Sequence, residues 1–139
     1  MNAVGFTGTQ RGLTFRQYIT LEVHLHKFSF SDARFHHGDC VGADAEASEI
    51  ARRLGFRIVA HPPTNVKKRA YVPVDEVFPP RPYLERNHVI VSVTDILFAC
   101  PGEVPEQLRS GTWATLRYAR KLRKKLCIIF PDGAVKDSF

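Results

Sequence analysis

Cysteine is scarce in this chain, and the few present lack pattern. Cys40, Cys100 and Cys127 are odd in number and form neither a CxxC pair nor a metal-ligand spacing. No disulfide framework or zinc site is expected, and the three read as reduced thiols of a cytosolic protein. Long apolar runs are missing too. None approaches the roughly 20 residues that span a bilayer, so no membrane partner is expected. The opening residues do not read as a secretory leader, because charged and polar residues follow Thr7 too closely. Repeats and low-complexity tracts are absent. Acidic residues are in deficit: 14 Asp and Glu face 20 Lys and Arg, for a net charge of +6. That balance suits an anionic ligand or a nucleic acid and decides neither. Much of the excess lies in Arg117, Arg120, Lys121, Arg123, Lys124 and Lys125, read either as a solvated helix face or as a phosphate track.

What is present is an ordinary globular balance, 44% hydrophobic and 24% charged, which argues against disorder. A length of 139 residues predicts one domain, residues 1–139, with a real core. Ala3 to Thr7 reads as a first strand ending at Gly8. Thr14 caps a helix from about Phe15 to Lys27. Phe35 to His37 is a second strand, and the turn Gly38-Asp39-Cys40-Val41-Gly42 opens a helix from Ala43 to Leu54 that Gly55 ends. Phe56 to Ala60 is a third strand. Residues 62–82 carry six of the nine prolines and the basic run Lys67-Lys68-Arg69; a loop this long is usually functional or mobile. A helix from about Tyr83 to Ser92 leads into a fourth strand, Ile96 to Cys100. A helix from Gly111 to about Arg123 and a fifth strand, Leu126 to Phe130, close the pattern.

Strands alternate with helices, and the strands are apolar throughout. That pattern predicts an α/β, Rossmann-like domain: a five-stranded parallel sheet in the order 3-2-1-4-5, with helices on both faces. Ligands of such sheets bind beyond the carboxyl ends of the strands, where the order reverses. The glycine turns after strands one, two and four all fall on that edge. Ser110 is an N-cap candidate, and Gly111 lets a ligand approach a helix N-terminus, which favours anions. The candidate ligand-binding set is Gly8, Thr9, Gln10, Arg11, Gly38, Asp39, Gly42, Asp44, Arg86, Asn87, Ser110, Gly111 and Thr112. Thr9 and Gln10 can read a base or a phosphate, and Arg11 adds charge. Arg86 can hold two ligand oxygens in its fork, or pair with Asp95 or Asp44. Asn87 either meets the ligand or clamps the crevice backbone. Asp44 is favoured in the first turn of its helix and can accept a ribose hydroxyl. Asp39 is a turn residue by default. Trp113 either stacks on a base or packs in the core or at a dimer contact. His61 reads as structural, and Cys40 as exposed enough to test as a thiol. A metal held by Asp39, Asp44 and His37 matches no known ligand spacing, so no metal and no resident cofactor are expected.

Three elements together resemble a known family: Arg86-Asn87-x-x-Ile90; Thr94-Asp95-x-Leu97; and Ser110-Gly111-Thr112 with Ala119. They look like the nucleotide-binding fold shared by the DNA-processing protein DprA (Smf) and the LOG phosphoribohydrolases, the SLOG superfamily. The turn from Gly38 to Asp44 is similar to that family's glycine-rich turn with a following Asp. The small stand-alone YspA-like proteins of bacteria and phages, with HGDCxGAD, RN and SGTWxTxRYA elements, are the nearest resemblance. It implies binding of a nucleotide or nucleotide-derived metabolite at the switch point, to sense, carry or process it. It also implies a homodimer, a reading that Trp113 and Tyr118 on one helix join. Two alternatives remain open. One is an N-glycosidic-bond hydrolase or transferase, with Arg86 matching the LOG arginine. Against it, Thr115 stands where LOG enzymes carry a Glu, a longer loop through Pro101-Gly102 replaces Pro-Gly-Gly, and nothing places Glu85, Glu103 or Glu106. The other is a DprA-like single-stranded DNA binder that uses the basic helix end.

Overall fold

A computed structural model describes residues 3–103, 106 and 110–138. The strands are β1 (Ala3–Gly8), β2 (Arg34–His37), β3 (Arg57–Ala60), β4 (Glu76–Val77), β5 (Ile96–Cys100), β6 (Lys125–Ile129) and β7 (Val135–Ser138). The helices are α1 (Phe15–His26), α2 (Ala43–Arg53), α3 (Tyr83–Val93) and α4 (Gly111–Lys121). One sheet runs β4-β3-β2-β1-β5-β6-β7. Its middle five strands are parallel and stand in the order read from the sequence.

The five-strand count needs correction, because a strand is added at each edge. β4 is a two-residue parallel strand inside the proline-rich segment, paired to β3 through Val59 and Ala60. The prolines around it keep it short and at the edge, where a missing N–H costs no ladder bond. β7 is antiparallel to β6. Between them Pro131-Asp132-Gly133 is a tight turn, in which Gly133 N–H donates to Phe130 O and Asp132 Oδ1 accepts from Ala134 N–H. A turn that short can only return the chain antiparallel. Its polar sequence, Val135-Lys136-Asp137, hid the strand from a search for apolar runs.

The alternation of side chains along the central strands makes two cores. On β5, Ile96, Phe98 and Cys100 face Leu21, Leu25, Ala47 and Ile50 of α1 and α2. Leu97 and Ala99 face the other way, against Ile90, Val91, Trp113 and Leu116 of α3 and α4. Helices therefore cover both faces. Their ends follow local chemistry. Thr14 and Gln17 form a reciprocal capping box at the start of α1. α4 stops two residues earlier than its sequence suggests. Arg123 turns left-handed (φ 56°) and its N–H reaches Arg120 O, while Lys124 N–H reaches Ala119 O, a pair of bonds that satisfies the last carbonyls of a helix. Among the described residues no helix is long and apolar enough to cross a membrane.

Candidate functional site

β1 and β5 are neighbours, while the crossovers from them lie on opposite faces, so a crevice opens above their carboxyl ends. Its volume is about 370 Å³. Eleven of the thirteen candidate residues line it: Gly8, Thr9, Gln10, Arg11, Gly38, Asp44, Arg86, Asn87, Ser110, Gly111 and Thr112. Asp39 and Gly42 lie outside it. Phe6, Thr7, Cys40, Tyr83, Leu84 and Glu103 complete the lining. Tyr83 and Leu84 open α3, whose start returns to this edge; Leu84 is 59% exposed, an apolar wall that no motif announced.

The floor is built on Arg86. It is 4% exposed, and its donors are largely committed. Nη1 donates to Gly38 O at 2.5 Å and to His61 O at 3.0 Å, Nε donates to Asn87 Oδ1 at 2.7 Å, and Nη2 lies 3.6 Å from Cys40 Sγ. A guanidinium has five N–H groups, so at most one is left for a ligand. Arg86 therefore splints the β2 turn to the end of β3, and Asn87 takes part as a clamp on Arg86. It pairs with neither Asp95, whose Oδ2 accepts Ala3 N–H, nor, as a direct ion pair, Asp44. A Cβ at Gly38 would collide with the guanidinium and with Asp44 Oδ2, so the turn must be bare at that point.

Asp44 faces this charge from the first turn of α2. Its Oδ2 accepts the Gly38 and Cys40 N–H groups at 3.1 and 3.2 Å. Burial pushes its carboxyl up to about 6, against the opposing pull of Arg86 and those two N–H groups. Cys40 is buried rather than exposed, 6% accessible, and burial with the Asp44 charge raises its thiol above the ordinary value. It is not an activated nucleophile.

The two candidates outside the crevice shape it from behind. Gly42 has φ 90°, and a Cβ there would strike the Gln10 carbonyl. Its bareness lets the β1 and β2 turns meet, where Ala43 N–H donates to Thr9 O. Asp39 is 1% exposed and holds Arg69 Nε at 2.9 Å. His37 Nδ1 accepts Asp39 N–H. The trio His37, Asp39 and Asp44 thus has other duties, and among the described residues no group of three His, Cys, Asp or Glu is placed to hold a metal. His61 is structural: buried, and 2.8 Å from His36 through ring nitrogens.

The helix end proposed from the sequence to favour an anion is the start of α4. Ser110 Oγ accepts Trp113 N–H, as its cap role requires. Among the described residues a Cβ at Gly111 would meet nothing within 4 Å, so no described side chain crowds that point. At the rim Arg11 pairs with Glu103 across Gly102. Glu85 is exposed on α3, and Glu106 pairs with Arg117 and Arg120. Trp113 is buried in the second core and donates to Glu103 O, so it is a packing residue. Tyr118 lies flat on His88, with ring centroids 3.7 Å apart. The basic end of α4 sits at the opposite edge of the sheet, where Lys124 Nζ reaches Thr94 O just before β5. A phosphate track there would not cross the crevice.

No family model matches the chain, and no curated protein matches it. Solved structures do. The molybdenum cofactor binding protein of Rippkaea orientalis superposes with a TM-score of 0.70 at 19% identity, covering 92% of this chain and 76% of that one. The molybdenum cofactor carrier protein of Chlamydomonas reinhardtii gives 0.67 at 17%, covering 91% and 74%. DprA of Streptococcus pneumoniae gives 0.67 at 17%, covering 92% of this chain and 50% of that one. The chain therefore carries the fold seen in these molybdenum cofactor proteins and in DprA.

Proposed function

We propose that the protein binds a nucleotide or nucleotide-derived metabolite in this crevice, with the ligand phosphate at the start of α4, and carries or senses it. The observation that carries the reading is the capped N-terminus of α4, where Gly111 meets no described residue within 4 Å of a Cβ position, in a crevice that converging turns line. Free N–H groups there favour a phosphate. Tyr83 and Leu84 give a flat ring an apolar surface, and Asp44 accepts a hydroxyl or ring N–H. That two proteins of the same fold are a binding and a carrier protein for the molybdenum cofactor supports carriage of a small molecule. The experiment is calorimetry with AMP beside adenosine. Binding should be at least about tenfold tighter for AMP, the worth of one charge-assisted hydrogen bond. Equal affinities would remove the phosphate from the reading.

A further inference from the structure

The proline-rich segment does more than connect β3 to α3. Residues 68–70 run antiparallel beside the crevice turn: Cys40 bridges Arg69, Val41 N–H donates to Lys68 O, and Ala70 N–H donates to Asp39 O. The Asp39 carboxylate adds bonds to Arg69 Nε and to Val72 N–H. Asp39 thus grips residues on both sides of Tyr71. Held this way, Tyr71 takes φ 56°, a left-handed conformation that is strained for a bulky residue. The residue is 60% exposed, and the Arg69 guanidinium lies over its ring, 4.4 Å from the centroid. An aromatic forced outward in this way is not serving the core.

The stretch of sequence leading to it is basic. Lys67 and Lys68 are exposed. Between Glu49 and Asp75 the sequence contains no acidic residue at all, and Asp39, which reaches this segment through Arg69, is buried and already paired. Exposed lysines beside a presented aromatic ring are what a base with a linked phosphate requires. This ledge lies one strand spacing, about 5 Å, from Cys40, which lines the crevice.

We propose that the ledge formed by Lys67, Lys68, Arg69 and Tyr71 is a second nucleotide subsite, so that the full ligand is a 5′-phosphorylated, phosphodiester-linked dinucleotide unit. Resting on the crevice reading above, it puts the 5′-phosphate at Gly111, the linking phosphate at the lysines and the second base on Tyr71.

The test compares AMP with the dinucleotide pApA by calorimetry on wild type, Tyr71→Gly and the pair Lys67→Glu with Lys68→Glu. Glycine removes the ring and relieves the backbone at once, so Tyr71→Gly should melt at or above the wild-type temperature. The wild type should bind pApA about tenfold or more tighter than AMP, the usual worth of one stacked base. Both variants should bring pApA down to the AMP level and leave AMP unchanged. If AMP binds and pApA binds no tighter, or if the variants keep full pApA affinity, the ledge is overturned while the crevice reading stands. If neither ligand binds, both readings fall. A longer 5′-phosphorylated oligoadenylate separates the two sources of such a unit. Affinity equal to that of pApA marks a strand end, and loss of binding marks a free dinucleotide; either outcome supports the subsite.

Discussion

Arg86→Ala should damage the fold before it damages binding. The guanidinium is 4% exposed and serves two buried carbonyls, Gly38 O and His61 O. Truncation leaves His61 O without a donor and Gly38 O with only the weak Cys40 thiol at 3.7 Å, at about 1–3 kcal/mol each where water cannot replace the lost bond. It also removes the charge facing Asp44. The two carbonyls alone are then a large part of the about 5–15 kcal/mol that holds a whole domain. The Asp44 carboxyl, at about 6 with Arg86 present, rises further without it. A carboxyl whose folded pKa is raised binds its proton more tightly in the native state. It favours folding at low pH and loses that advantage as pH rises through the folded value. The variant should therefore lose more stability near pH 8.5 than near pH 6, and adding Asp44→Asn should flatten the difference. Arg86→Lys keeps the charge without the fork and should fall between. Urea unfolding at both pH values, with unchanged m, measures all of this. A melt that coincides with wild type, or a loss equal at both pH values, would refute the splint role.

Three further outcomes follow from single observations. Burial holds His36 and His37 at about 4 and His61 at about 3, so the unfolded chain takes protons first as pH falls below 6.5. Each histidine costs roughly 1.4 kcal/mol per pH unit and Asp44 offsets one of the three, so the melting temperature should fall steeply between pH 6 and pH 4; a flat profile would contradict it. Gly111→Val has room for its side chain, so it should melt close to wild type and yet lose at least about tenfold in AMP affinity. AMP hydrolysis should be absent at ordinary enzyme rates of about 1 per second or more, because Thr115, 2% exposed, spends its hydroxyl on Gly111 O and puts no carboxylate where a LOG enzyme has one; release of adenine in a chromatographic assay would overturn that.

The parts legible in the sequence were those with local chemistry. Apolar runs gave the five central strands, and Thr14 and Ser110 announced their caps. Glycine turns on one edge gave the crevice, because topology alone carries strand ends to a common rim. What stayed hidden depended on long-range contact. Arg86 matched a binding motif, but its commitment to Gly38 and His61 crosses 48 and 25 residues. Asp39 was grouped with the candidate ligand contacts because the turn around it lines the crevice; its partner Arg69 is 30 residues away in a segment with no periodicity. Trp113, beside the anion end in sequence, points into the core because α4 must bury one face against β5 and β6. The signal for Tyr71 was present, as an acid-free stretch holding a basic run and one tyrosine.

The floor of the crevice is close to neutral, since Arg86 and Asp44 answer each other. On the proposed reading, attraction for a phosphate rests on the α4 N-terminus and on Arg11 at the rim. Arg11 is paired with Glu103, and their side chains are 69% and 30% exposed. An exposed pair of this kind is worth about 0–1 kcal/mol, so a ligand phosphate can compete for the guanidinium. On that reading Glu103 acts as a brake on phosphate binding. Glu103→Gln keeps the shape and removes the competing charge, and should tighten AMP binding by about two- to fivefold, the range that such a pair can supply. Adenosine, which has no phosphate to offer Arg11, should bind as before. Adding Arg11→Ala to Glu103→Gln should cancel the gain. Calorimetry at low and high salt makes the test complete, because the gain is electrostatic between exposed groups and should shrink as salt screens them. If Glu103→Gln instead weakens AMP binding, the carboxylate touches the ligand itself, and Arg11 is its support rather than its captive.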